Sequence, residues 1–213
     1  MSGYAADVLA LARKDLLLEL RARDTLPAML LFVVTALVVF HFALPGDASE
    51  TAAKGLLWVA IVFTALLGLA RAFVAEREQG LLDALVLSPA DRSAIWLAKS
   101  LAVLAFLVAA EAVALPAFSI FFSGVDGPTV AGVALADLGI CAIGTLVAAM
   151  SVAGRARELL LPLLFLPLAL PAIAGGVGAS VAADPARYLG FLALYDAVFA
   201  LLAWASFEYV VVE

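Results

Sequence analysis

The stretch TLPAMLLFVVTALVVFHFAL covers Thr25–Leu44 and contains no Asp, Glu, Lys or Arg. A helix that crosses a membrane needs about 20 mostly apolar residues, and this stretch has that length. Pro27 lies in its first turn, where a missing N–H group costs little, and Pro45-Gly46-Asp47 follows with residues typical of turns. The pattern therefore predicts a membrane-spanning helix.

Five more apolar stretches follow, and together they predict an all-α fold in which one transmembrane domain, residues 1–213, crosses the membrane six times. The further spans are Gly55–Val74, Ile95–Phe122, Thr129–Ala153, Leu159 to about Ser180, and Tyr188–Val212. Pro116 predicts a kink in the third span. The fifth contains Pro162, Pro167, Pro171 and a run of glycines. We therefore expect a span followed by a broken or re-entrant piece within residues 171–187.

The composition excludes most other classes of protein. Of the 213 residues, 66% are hydrophobic and 14% are charged, and the mean hydropathy is +1.16. A soluble fold of this size cannot bury so much apolar surface, which excludes a soluble enzyme and a disordered protein. A net charge of −6 at pH 7 leaves no basic surface for nucleic acid. The single cysteine, Cys141, excludes a disulfide within the chain.

The distribution of basic residues predicts that both termini are cytoplasmic. Of the 12 lysines and arginines, ten lie in the N-terminal segment or in and around the second-to-third and fourth-to-fifth connections, and the other two are Lys54 and Arg187. Basic residues accumulate on the cytoplasmic side of a membrane protein. Within residues 1–24, the helix-forming segment Asp7–Arg23 is expected either to lie on the membrane interface against a protein partner or to be a simple basic anchor. No cleavable signal-peptide pattern is apparent, so we expect the segment to be retained.

The chain carries none of the common catalytic motifs. A Walker A loop needs Gly-x-x-x-x-Gly-Lys followed by Ser or Thr. Only Lys99 is followed by such a residue, Ser100, and Ala98 and Ser93 stand where the glycines are required. We therefore expect a protein that is not an enzyme.

The only sizeable polar connection on the predicted cytoplasmic side is EREQGLLDALVLSPADRSA, residues Glu76–Ala94. Leu81, Leu82, Leu85 and Val86 have helical spacing and form one apolar flank beside acidic residues. The pattern fits a short amphipathic helix that lies across the cytoplasmic face. It fits an ordinary solvated loop with a chance helical turn equally well.

This connection resembles the loop after the second span in ABC-2-type transporter permeases, which carry a Glu-Arg-Glu-x-Gly-x-Leu-(Asp/Glu)-x-Leu-x-x-(Ser/Thr)-Pro pattern. The matching residues are Glu76, Arg77, Glu78, Gly80, Leu82, Asp83, Leu85, Ser88 and Pro89. Chain length, six spans, Lys14-Asp15-Leu16, Glu19-Leu20-Arg21 and the proline-rich LLLPLLFLPLALPAI are similar to the haem exporter protein B (CcmB) family. The resemblance covers nearly the whole chain.

The resemblance implies the permease subunit of an ABC transporter complex in the bacterial inner membrane. Glu76–Ser88 would be the coupling element that docks on a separate ATPase subunit (CcmA-like), which binds ATP. Two copies of the permease would form a homodimer, with membrane lipid around it. Further partners would be CcmC- and CcmD-like membrane subunits and a periplasmic haem chaperone in cytochrome c biogenesis. The residues do not say whether haem passes through this chain or whether the permease drives release of the loaded chaperone.

Two other functions remain open on the sequence. The chain could be a scaffold that couples the ATPase to haem-handling partners without transport. It could also be an ABC-2 permease for a lipid-linked glycan or a drug.

Three acids, Glu111, Asp137 and Asp196, fall inside predicted spans, where a charge at the bilayer centre costs about 2.5–3.5 kcal/mol. They are candidates for a polar cavity that contacts substrate. The alternative, which we favour, is packing or local polarity, with hydrogen bonds to hydroxyl groups such as Thr145 or Ser206.

His41 lies near the predicted outer end of the first span. It is a candidate axial ligand of haem, although a lone histidine at a membrane interface more often contacts a lipid headgroup or forms an ordinary hydrogen bond.

Overall fold

The computed structural model describes residues 3–45, 49–74, 91–122, 124–153 and 157–210. In those ranges the chain forms seven helices: α1 (Tyr4–Ala22), α2 (Thr25–Ala43), α3 (Glu50–Arg71), α4 (Arg92–Phe121), α5 (Gly127–Ala153), α6 (Arg157–Val181) and α7 (Pro185–Val210). Helices α2 to α7 are long and apolar enough to cross a membrane. The predicted all-α fold with six spans is therefore confirmed.

The first span begins at Thr25 as predicted, whereas the later helices begin two to five residues before the predicted apolar stretches, because local contacts satisfy polar residues at their starts. Helix α3 begins five residues before the predicted Gly55, and Ser49 caps it by accepting a hydrogen bond from the Ala52 N–H group at 3.2 Å. Helix α7 begins at Pro185, a residue suited to the first helical position because it has no N–H group to satisfy.

The expected break in the fifth span is wrong. Helix α6 continues through its three prolines and the glycine run to Val181, and only residues 182–184 separate it from α7. The glycines allow close contact instead of ending the helix. A Cβ atom at Gly176 would overlap the indole of Trp58, and one at Gly178 would overlap the ring of Tyr188.

The helices pack as two adjoining groups. Helix α5 packs against α6 and α7, which also contact each other, and α2 packs against α3 and α4. Contacts of α3 with α6, and of α4 with α5, join the groups. The largest fully buried side chains are Trp58, Phe118, Phe165 and Phe207. Many large apolar side chains point outward, such as Phe42 at 82% exposure, as expected for a surface in contact with hydrocarbon.

Both ends of the described chain lie at the same end of the bundle. Val8 and Ala12 of α1 pack against Ala94 and Ala98 at the start of α4. The end of α7 reaches the same place, because Arg92 and Glu208 form an ion pair at 3.5 Å. We call this the termini end, and the end that carries residues 44–45, 49, 122, 124–126 and 182–184 the loop end. An even number of crossings requires this arrangement.

Candidate functional site

The predicted ATPase-coupling residues Glu76, Arg77, Glu78, Gly80, Leu82, Asp83, Leu85 and Ser88 lie outside the described residues. The structure does describe both flanks of that segment, up to Val74 on one side and from Asp91 on the other. Both flanks belong to the termini end, because α3 ends and α4 begins there. The candidate site therefore consists of the described side chains around these two flanks.

Asp91 caps the start of α4. Its carboxylate accepts hydrogen bonds from the Ser93 N–H group at 2.8 Å and from the Ser93 hydroxyl at 2.7 Å. These bonds hold the pKa of Asp91 below its ordinary value. The hydroxyl groups of Ser93 and Tyr4 are 3.1 Å apart, within hydrogen-bonding distance, which connects this cap to α1.

Lys99 connects three helices at the termini end. Its ammonium group pairs with Asp15 of α1 at 3.1 Å and donates a hydrogen bond to the Ala72 carbonyl, just after α3, at 2.8 Å. The Lys99 and Asp15 side chains are only 5% and 11% exposed. The ammonium also lies 5.1 Å from the centre of the Phe73 ring, within range of a cation–π interaction.

The junction of α1 and α2 is held by two further contacts. The Thr25 N–H group donates to the Glu19 carboxylate at 3.0 Å, and Arg71 pairs with Asp24 at 3.4 Å. A cavity of about 40 Å³ lies between α1, α2, α3 and α4, and it has room for water. The Thr25 hydroxyl has no protein hydrogen-bond partner in the described part of the chain.

The three intramembrane acids, which the sequence places on separate spans, come together inside the bundle. Glu111 of α4 faces Asp137 of α5, and Asp137 interacts electrostatically with Asp196 of α7. Glu111 and Asp137 are 6% and 1% exposed. The Cys141 thiol lies close to both. We call Glu111, Asp137 and Asp196 the acid cluster.

Most oxygens of the acid cluster lack a hydrogen-bond donor. One carboxyl oxygen of Glu111 and both of Asp137 and of Asp196 are buried without a hydrogen bond of ordinary geometry among the described residues, although Glu111 faces Asp137 and the Gly139 backbone lies beside Asp196. The hydroxyl of Thr145 is likewise unpartnered, so its predicted hydrogen bond to an acid is not formed. No three histidine, cysteine or acidic residues in the described ranges are arranged to hold a metal ion. The cluster is thus a local polar spot where α4, α5 and α7 meet.

A second polar site lies at the loop end and was not apparent from the sequence pattern. Lys54 of α3 is buried, pairs with Glu50 at 2.9 Å and Asp126 at 3.1 Å, and donates to the Ser180 carbonyl at 2.7 Å. A cavity of about 220 Å³ adjoins these groups. The signal in the sequence was a lysine directly before the predicted span Gly55–Val74 with an acid, Glu50, four residues earlier, a spacing that places both on one helix face.

Asp126 holds this loop-end site to the start of α5. Its carboxylate accepts hydrogen bonds from the N–H and hydroxyl groups of Thr129 and from Lys54. Burial raises the pKa of Asp126, but these hydrogen bonds and the charge of Lys54 outweigh it, so the pKa lies below its ordinary value.

His41 is exposed at the last turn of α2, at the loop end. Its ring centre lies 5.4 Å from that of Phe42, 5.5 Å from Phe121 and 5.6 Å from Phe122. These distances are typical of packed aromatic rings. The imidazole is therefore accessible but already surrounded by phenyl groups, and its role as a haem ligand stays a prediction.

Comparison with known proteins assigns the family. The chain matches the family described as CcmB protein over residues 6–211. It is 33% identical over 208 residues to Heme exporter protein B of Paracoccus denitrificans (strain Pd 1222), which covers 93% of this chain and 94% of that protein. It is 33% identical over 178 residues to Heme exporter protein B of Rhodobacter capsulatus, covering 78% of this chain and 79% of that protein. Because the match extends over nearly the whole length of both chains, this protein belongs to the CcmB family.

Proposed function

We propose that this chain is the permease subunit of an ABC transporter complex that serves haem export in c-type cytochrome biogenesis. The observation that carries the proposal is full-length similarity to relatives named Heme exporter protein B, on a chain with six helices able to span a membrane. The bacterial inner membrane is the location that this function requires. The termini end then faces the cytoplasm, in agreement with the excess of basic residues there.

A separate ATPase subunit supplies the energy and docks on Glu76–Ser88. The chain itself has no Walker A loop. The segment connects two long helices that enter the bundle, α3 and α4, whose buried faces contact each other and α2. Movement of a docked subunit would thus be applied directly to the ends of two spans.

A second copy of this chain completes the permease, because a central path between subunits needs more than one six-helix unit. The ATPase resembles CcmA, and the other membrane partners resemble CcmC and CcmD, with a periplasmic haem chaperone as the acceptor. Helices α2 and α7 have the least buried spanning segments, 17% each, so their outer faces are available to lipid or to these subunits.

The acid cluster serves packing in this proposal. Glu111, Asp137 and Asp196 join three helices, and none of the three lines the cavity at the termini end or the cavity at the loop end. His41 is the candidate contact for haem, because its imidazole is exposed at the loop end.

Charge reversal in the coupling segment tests the ATPase contact. Glu78→Lys and Asp83→Lys should each reduce the amount of ATPase that co-purifies with the permease. Asp184→Lys is the matched control, since it reverses an exposed acid at the loop end, on the opposite side of the membrane. Unchanged co-purification with both coupling variants would contradict the proposed docking site.

Reconstitution in vesicles tests the transport step. We expect the complex to hydrolyse ATP and to move haem across the bilayer. A complex that hydrolyses ATP at the same rate with and without haem, and moves none, would instead identify the chain as a scaffold.

A further inference from the structure

Asp15, in the N-terminal motif Lys14-Asp15-Leu16, forms an ion pair that has no role in the proposed function as described so far. Asp15 is buried against Lys99, a residue of α4 about 10 Å along the helix from its start. Both side chains lie inside the protein at the termini end, where α1, α3 and α4 meet. An exposed ion pair contributes little to stability, but separation of a buried pair leaves an uncompensated charge inside the protein and is therefore costly.

We propose that Asp15 and Lys99 are positioning residues that make α1 and the ends of α3 and α4 move as one body when the ATPase acts on the segment between them. This inference rests on the proposed function. It adds a role for α1, namely that it keeps the two ends of the coupling segment at a fixed separation, so that movement is passed to the spans.

The contact at Ala72 is the first argument. Ala72 is the C-terminal cap residue of α3, where the last carbonyl groups of a helix have no partner within the helix. The Lys99 ammonium donates a hydrogen bond to the Ala72 carbonyl at 2.8 Å, where the helix dipole is negative. Lys99 therefore holds the last described turn before the coupling segment to α4, the helix that begins just after it.

The contacts of α1 are the second argument. At the start of α4, Val8 and Ala12 pack on Ala94 and Ala98. At the end of α3, the connection to α1 runs through Lys99, which pairs with Asp15 of α1 and donates to the Ala72 carbonyl. Helix α1 thus packs on the flank at the start of α4, and the Asp15–Lys99 pair connects it to the flank at the end of α3.

The chain also contains a matched control for this ion pair. Lys14 pairs with the same Asp15 carboxylate at 3.1 Å, but it belongs to α1 itself and its side chain is 41% exposed. Loss of the Lys14 pair removes a more exposed charge next to Asp15 while the pair between Asp15 and Lys99 remains.

The test compares assembly, ATP hydrolysis and haem export in the complete complex. Asp15→Asn and Lys99→Met should leave the ATPase bound and hydrolysing ATP while haem export falls by roughly tenfold, the size expected when coupling between sites is weakened. Lys14→Met should leave all three unchanged. The exchanged pair Asp15→Lys with Lys99→Asp should recover part of the export, and Lys99→Arg should retain most of it.

Distances measured by spin labels on α1 and α4 provide a second readout. In the wild-type complex the distribution of distances between the two helices should be the same with and without bound nucleotide. In Asp15→Asn this distribution should become broader. Full export in Asp15→Asn and Lys99→Met, with the complex intact, would overturn the inference and leave the proposed function standing. Failure of the wild-type chain to bind an ATPase would overturn the proposed function instead.

Discussion

Substitution of Gly176 by alanine should weaken the contact between α3 and α6. The Trp58 indole is fully buried, and its N–H group donates to the Ser180 hydroxyl at 3.0 Å, which fixes the position of the ring. An added methyl group at Gly176 would overlap the carbons of that ring. Because the obstacle is a rigid ring, either Trp58 must leave its hydrogen bond or α3 and α6 must separate.

The magnitude follows from two opposing effects. Overpacking of a well-packed interior typically costs 1–3 kcal/mol, while alanine in place of glycine favours a helix by up to about 1 kcal/mol. We expect a net loss of roughly 1–2 kcal/mol in the free energy of unfolding. For a chain of this length, each kcal/mol lowers the melting temperature by about 2–4 °C.

The assay is thermal unfolding of the purified protein in detergent, followed by circular dichroism at helix wavelengths. Gly190→Ala is the matched control, because a Cβ atom there meets nothing within 4 Å. Its melting temperature should equal or exceed that of the wild type. Trp58→Leu should cost less in the Gly176→Ala background than alone, since the overlap is then removed.

Equal melting temperatures for Gly176→Ala and Gly190→Ala would refute the reasoning. That result would mean that α6 does not bring its glycine run against α3, and a break after Pro171 would again be open.

Four further predictions concern the polar sites. Lys54→Met should lower the free energy of unfolding by about 1–3 kcal/mol, because it leaves the buried Ser180 carbonyl without its donor; unfolding in detergent measures this, and an unchanged stability would contradict the contact. The lowered pKa of Asp126 means that its contribution to stability is present above about pH 4 and is lost as the pH falls below that value; melting temperatures across this range should fall less in Asp126→Asn, and parallel curves would contradict the assignment. Glu111→Gln should preserve both stability and haem export, since the amide can donate to the acid that it faces; lost export in an intact complex would instead indicate a role in the substrate path. His41→Ala should remove any imidazole ligation seen in the absorption spectrum of added haem, because no other histidine is present in the chain; an identical spectrum would exclude His41 as a ligand.

Length and hydropathy predicted the number of spans because these depend only on each segment by itself. Helix boundaries depend on neighbours, and for that reason α3 was placed too late. Glu50 and Asp126 neutralise the charge of Lys54, and Asp126 is distant in sequence. A sequence pattern does not show such a pairing partner, so the lysine was interpreted only as one of two basic residues on the outer side.

The predicted break in the fifth span was wrong for a related reason. Prolines and glycines weaken an isolated helix, and the sequence therefore indicated a break. In the folded chain, the same glycines are the positions where Trp58 and Tyr188 pack closely. Packing of α6 against its neighbours thus compensates for the low intrinsic helix propensity of its prolines and glycines.

The sequence identified each of the three intramembrane acids, but it did not show that they lie together in the folded chain. Hydropathy identifies Glu111, Asp137 and Asp196 as unusual within their spans, but their common location depends on how α4, α5 and α7 rotate about their axes. The pairing of Asp15 with Lys99 was hidden similarly, since an acid in a segment with many charged residues looks like a solvated one. In contrast, the coupling segment was predicted from its motif alone, and it stays a prediction because its residues lie outside the described ranges.

The central claim is that this chain receives its energy from a separate ATPase through Glu76–Ser88. The most direct measurement replaces Asp83 by a photo-crosslinking amino acid in the complete complex and identifies the adducts by mass. A second variant of the same chain, with the photo-crosslinking amino acid at Asp184, is the control. We expect Asp83 to yield an adduct of permease and ATPase and Asp184 to yield none. An ATPase adduct from Asp184, or none from Asp83 in a complex that contains the ATPase, would contradict the claim.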